Sequence, residues 1–154
     1  MRCNMRAIAV LAMTLVLTVP LAQAERVPLS PDQQKAESTH IVTGVVKSVY
    51  SREVETTLYG KGTLETHFLL EIEVQGVEKG AGIEKGDIIY VRCWALKKRG
   101  EQGLVPGPSG HFGIPAPGER IRAFVAKGKY SPTGQEDNGM TLVYPNGIEK
   151  LKSK

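Results

Sequence analysis

Between Thr66 and Gln75 the chain alternates: Thr66, Phe68, Leu70, Ile72 and Val74 fall on one side of an extended backbone, and His67, Glu71, Glu73 and Gln75 on the other. Side chains of a strand point to opposite faces with a period of two, so this stretch specifies a strand with one buried face and one wet face. Two neighbouring segments share the preference. His40 to Tyr50 is rich in β-branched and apolar residues, with Gly44 placed where a strand bends or bulges. Ile88 to Trp94 sets Ile89, Val91 and Cys93 against Ile88, Tyr90, Arg92 and Trp94. The first set is uniformly apolar, which predicts that Cys93 faces the core.

The remainder reads as punctuation and two further strands. Tyr59-Gly60-Lys61-Gly62 tolerates positive φ and predicts a long hairpin between the first two strands, and Lys79 to Asp87 is a glycine-punctuated connection. Residues 97 to 118 hold six glycines and four prolines, too many for a helix or an inner strand, so a long loop is expected there. Arg120 to Lys127 restarts a strand with Ile121, Ala123 and Val125 inward. Lys129 to Gly139 connects it to a last strand from Met140 to Tyr144, after which Pro145-Asn146-Gly147 makes a tight turn. Ahead of the strands, Ser30-Pro31-Asp32-Gln33 offers an N-cap serine, a proline at the first helical position and a capping-box glutamine. The expected short helix, Pro31 to Glu37, has almost no apolar face and should fray or lie on the surface. The expectation is an all-β fold, a small five-stranded OB-like barrel with a long Gly/Pro-rich loop and a short N-terminal helix.

Residues 1 to 24 have the layout of an export signal. Arg2 and Arg6 form the positive region, Ala7 to Val19 the apolar one, and Ala22-Gln23-Ala24 a small-x-small cleavage site. Pro20 interrupts an apolar run already shorter than the roughly 20 residues of a spanning helix, so no stable membrane anchor is expected after cleavage. The predicted organisation is a signal peptide over 1–24, a polar leader over 25–39 and one domain over 40–151, delivered to the periplasm or the extracellular space. Arg2 and Arg6 contribute to the net charge of +4, and Lys150, Lys152 and Lys154 cluster at the end, leaving no electrostatic case for nucleic acid as a partner. Cys3 leaves with the signal. Cys93 is then a lone thiol that cannot form an internal disulfide.

The pattern His40-Ile-Val-Thr-Gly44-x-Val46-x-x-Val49, with Phe68-x-x-x-Ile72-x-Val74-x-x-Val77-x-Lys79-Gly80 and Gly86-Asp87-x-Ile89-x-Val91, resembles the barrel core of OB-like domains of the netrin and metalloproteinase-inhibitor type. The resemblance implies the barrel and not inhibition, because those inhibitors rely on an N-terminal cysteine and a disulfide framework that this chain lacks. Cys93-Trp94, Gly110-His111 and Pro145-Asn146-Gly147-Ile148 are similar to a group of uncharacterised exported bacterial proteins, which implies export and fold only.

Three constellations could carry chemistry. Cys93 and His111 offer a soft thiolate and an imidazole suited to copper or zinc, with His67 or His40 to complete the set. Against this stands the reading of Cys93 as a small buried hydrophobe and of His111 as a loop residue bonded to backbone. A thiolate activated by imidazole would also be a nucleophile, but it needs an accessible sulfur, whereas the alternation predicts burial. Finally, Tyr90, Arg92 and Trp94 share a strand face, and with the loop residues Lys97, Lys98 and Arg99 they form a candidate stacking and anion-binding surface, unless the 97–118 loop covers Trp94. Gly80-x-Gly82 lacks the strand-helix context of a dinucleotide site, and Glu71 and Glu73 fit a solvated sheet face. The sequence therefore points to a non-catalytic binding or interaction module for a protein or small ligand, needing no cofactor. The alternative is a small metal-binding or redox protein using Cys93 and His111.

Overall fold

The strand expected around Phe68 runs for 17 residues: Leu70, Ile72 and Val74 of its inward set are completely buried, Thr66 and Phe68 only partly, and near its start the buried residues, Thr63 and Glu65, have the opposite parity. The computed structural model describes residues 27–57, 60–100, 109–128 and 139–152. The expected export signal, the hairpin residue Tyr59, the middle of the Gly/Pro-rich loop and most of the 129–139 connection lie outside the described residues. The elements are α1 (Pro31–Glu37), β1 (His40–Thr56), β2 (Thr63–Lys79), β3 (Ile88–Lys98), β4 (Arg120–Lys127), β5 (Met140–Leu142) and β6 (Ile148–Lys150).

The expected long hairpin is β1 with β2, antiparallel in register from Ile41 opposite Lys79 to Thr56 opposite Thr63. β2 pairs with β3, β3 runs parallel to β5 at Val91–Met140 and Arg92–Thr141, β5 pairs with β4, and β4 returns to β1. The five ladders close a ring. Inside it Val42, Val46, Leu70, Ile72, Val91, Cys93, Ile121, Val125 and Leu142 form one apolar cluster. Each such Val, Leu or Ile stabilises the fold by about 1.5–3 kcal/mol relative to exposure. Gly44 lies at a register shift between β1 and β2, as the sequence suggested. A Cβ there would collide with the Glu73 carbonyl and lie 2.7 Å from Ile72 Cγ2, so the close crossing needs glycine.

The closed ring has the expected five strands, and β6 is a three-residue sixth strand added beside it. β5 and β6 run along the same edge of β4, interrupted by Val143 to Gly147, and bonds from Val143 N to Phe124 O (2.8 Å) and Phe124 N to Gly147 O (2.9 Å) keep the bulged-out turn in line. The Tyr144–Pro145 peptide in this turn is cis. A correction concerns β3, which continues to Lys98, so Lys97 and Lys98 are strand residues rather than loop residues.

The N-terminal helix has its predicted capping box: Ser30 Oγ accepts from Gln33 N, and Gln33 Oε1 accepts from Ser30 N at 2.9 Å. It lies on the surface and buries none of its residues. It is nevertheless fastened at both ends. Asn146 exchanges two 2.9 Å bonds with the Leu29 backbone, and Lys79 Nζ donates to the Lys35 and Ser38 carbonyls at 2.6 Å. Leu29 thereby packs on a small outer cluster of Ile41, Phe124, Ala126 and Val143. Among the described residues no helix is long and apolar enough to cross a membrane.

Candidate functional site

Beyond Arg92, β3 leaves β5, and its edge would be bare without the returning end of the Gly/Pro-rich loop. Leu96 N donates to Ser109 O at 2.9 Å, and His111 N donates to Trp94 O at 2.7 Å. Gly110 makes this possible. Its φ is +94°, and a Cβ would stand 2.5 Å from Ala95 Cα and from the Trp94 carbonyl oxygen. The His111 ring, 5% exposed, fills the wedge where the strands diverge. Its Nε2 lies 3.1 Å from the Leu142 carbonyl, which can only accept, so Nε2 carries the proton; Nδ1 stands between Trp94 N (3.3 Å), from which a neutral ring accepts, and the Trp94 carbonyl (3.2 Å), to which a charged ring donates. Burial pushes the imidazole below its ordinary value against the opposing effect of the Leu142 and Trp94 carbonyls. The Trp94 and Tyr144 rings stack at 6.1 Å with 2° between planes, and His111 meets both edge-on.

Cys93 is 3% exposed within the ring's interior cluster. Desolvation pushes its thiol up to about 12, so the thiolate that a metal or a carbonyl carbon would need is strongly disfavoured. Alternation along β3 puts Cys93 inside and Trp94, against which His111 packs, outside, so the structure does not bring Cys93 and His111 together. The other two histidines are engaged elsewhere. His40 contacts Thr39 Oγ1 (2.9 Å) and the Ala81 carbonyl (3.0 Å), and His67 Nε2 is 2.8 Å from Glu65 Oε2. Among the described residues no group of three or more His, Cys, Asp or Glu gathers that could hold copper or zinc.

The outer face of β3 is different. Tyr90 is 51% exposed, and Arg92 and Trp94 are half-buried. Cross-strand partners share a face, so the register completes a grid: Arg52, His67 and Trp94 in one row, Tyr50, Leu69 and Arg92 in the next, and Ser48, Glu71 and Tyr90 in the third. Tyr50 is 53% exposed and donates its hydroxyl to Glu71 Oε2 at 2.9 Å. Lys98 lies beyond a register shift, opposite Leu64, and is exposed, so alternation does not carry it onto this face. Lys97 falls on the other face and pairs with Glu53. Arg99, past the end of the strand, has Nη2 3.5 Å from Ser109 Oγ. The expected surface is thus divided: Tyr90 and Arg92 remain on it, Trp94 has one ring face committed to Tyr144, and Lys97 and Arg99 turn to other partners. Sequence reasoning missed Tyr50, Ser48 and Leu69, which only the hairpin register places beside Tyr90.

A shallow cleft of about 470 Å³ lies on the far side, between α1, β4 and β6, with Phe124, Ile148 and Pro31 as its apolar wall. Three of its charged residues satisfy one another, Arg122 bridging Glu78 (2.8 Å) and Glu149 (2.7 Å). Set beside known proteins, the chain matches no family model, and no curated protein and no solved structure matches it significantly.

Proposed function

We propose that this protein is an exported, non-catalytic binding module whose ligand-contacting surface is the outer face of β1, β2 and β3. The observation that carries the reading is the pair of half-exposed tyrosines, Tyr50 and Tyr90, on either side of Glu71, with the Tyr50 hydroxyl on its carboxylate. Single exposed apolar residues are ordinary, but here two rings stand on one hydrogen-bonded sheet with Leu69 and the Glu71 carboxylate between them and the Arg92 guanidinium at a flanking corner. Aromatic side chains on a rigid ladder lose little conformational entropy on binding, which favours them as contact anchors.

The test is an amide NMR screen of the purified chain against a fragment set of saccharides, phenols and carboxylates. Shifts clustered at Tyr50, Leu69, Glu71, Tyr90 and Arg92, and abolished in Tyr90→Ala, support the face. Shifts clustered in the α1–β4–β6 cleft, or none on the face, overturn it.

A further inference from the structure

The positions of the two tyrosines say what shape of ligand the face fits, an inference that rests on the binding face proposed above. Tyr50 and Tyr90 occupy opposite corners of a patch whose other corners are Ser48 and Arg92, with Leu69 and Glu71 in the middle. Neighbouring strands lie about 4.8 Å apart and same-face residues about 6.8 Å apart along a strand, so the two tyrosine Cα atoms are separated by about 12 Å on the diagonal. That span exceeds one six-membered ring. The patch therefore offers two stacking platforms joined by an apolar step, Leu69, and a fixed acceptor, Glu71, whose carboxylate the Tyr50 hydroxyl orients.

We infer that the face binds an oligosaccharide lying diagonally from Tyr50 to Tyr90. A pyranose presents an apolar C–H face that stacks on an aromatic ring and a rim of hydroxyls that both donate and accept. Glu71 accepts from hydroxyls between the two platforms, and Arg92 and Ser48 supply donors at the flanking corners. The charges on this face do not select an anion: Arg52 and Arg92 are matched in number by Glu65 and Glu71, and Glu65 is held by His67. A peptide strand is a poorer fit. The hydrogen bonds of β2, the middle strand, are spent on β1 and β3, so the face has side chains to offer and no backbone edge.

The experiment titrates the chain with cellohexaose and N-acetylchitohexaose, with glucose and N-acetylglucosamine as single-ring comparators, and follows the amide NMR spectrum. At least one hexasaccharide is expected to shift Tyr50 and Tyr90 together and to bind at least roughly tenfold tighter than its single ring. Tyr50→Ala and Tyr90→Ala should each weaken binding roughly tenfold with the remaining spectrum intact, since both side chains are exposed, while Tyr90→Phe keeps the platform and the affinity. Unmoved tyrosines with both hexasaccharides, single sugars as tight as the chains, or alanine variants without effect would each overturn the inference. If the fragment screen maps to this face while the saccharides do not, only the saccharide assignment falls; if neither reaches it, the binding face falls too.

Discussion

His111 Nε2 and the Leu142 carbonyl meet at 3.1 Å across the gap where β3 and β5 stop pairing, so a side chain completes a seam that backbone closes elsewhere. Both ring nitrogens are spent on backbone groups of opposite sides of that gap, and the ring is buried. Such a histidine is held neutral.

Stability should therefore fall in mild acid. The folded-state value of His111 lies below the ordinary 6.5, so the unfolded chain takes up the extra proton as pH drops through about 6.5. Above that value the group contributes no pH slope. Urea denaturation at pH 7.5 and pH 5 should show a loss in the native chain that is smaller in His111→Gln. The variant itself should be about 1–3 kcal/mol less stable at pH 7.5, since buried backbone groups lose their partner.

Gly110→Ala should be among the most damaging single-methyl additions. It meets both a positive φ and backbone at 2.5 Å, and an expected loss of about 2 kcal/mol or more follows from strain and overlap together. Gly113→Ala, with φ +67° but open space around it, separates the two effects and should cost about 1 kcal/mol. Thermal unfolding followed by Trp94 fluorescence measures both.

Cys93 should behave as packing. In the folded chain maleimide labelling at pH 7.5 should be far slower than in urea, because the thiol is both buried and protonated. Cys93→Ser should cost about 1–3 kcal/mol for a hydroxyl placed among Ile89, Val91 and their neighbours. Protein purified without chelator should contain no stoichiometric copper or zinc, before or after that change. A metal lost with the thiol would restore the Cys93 metal site.

Asn146→Ala should release the leader while leaving the ring closed. Its side chain holds the Leu29 backbone by two bonds, so the loss is about 1–2 kcal/mol, with faster proteolysis and amide exchange confined to residues 27–38. Exchange that rises equally in β2 and β3 would show that the leader supports the whole fold.

What could be read from sequence was whatever a strand's own period encodes. The inward sets of β2 and β3, Cys93 among them, follow from alternation, and Gly44 marks its bulge without help from any other segment. Relationships between distant segments were not legible. Tyr144 and His111, the neighbours of the Trp94 ring, lie far along the chain from it, and β6 is three residues ending in Glu149-Lys150, too short and charged to show a period. Lys97 looked like the start of a loop because charge and the following glycines outweighed its place in the alternation. The Tyr50–Glu71–Tyr90 grouping needs the exact hairpin register, which the turn around Gly60 and the bulge near Lys47 decide jointly.

The ring of ladders also sets an order of events. β1, β2 and β3 pair with their neighbours in sequence, but β1 closes onto β4, β3 onto β5, and Leu29 onto Asn146, so the ring shuts only with the last described segments. A chain still emerging from the ribosome lacks the strands that close the ring, and contacts of such long sequence separation form slowly even once available. The β1–β2–β3 meander can thus form while the chain is still being made, but its two outer edges stay open until β4 and β5 have been synthesised.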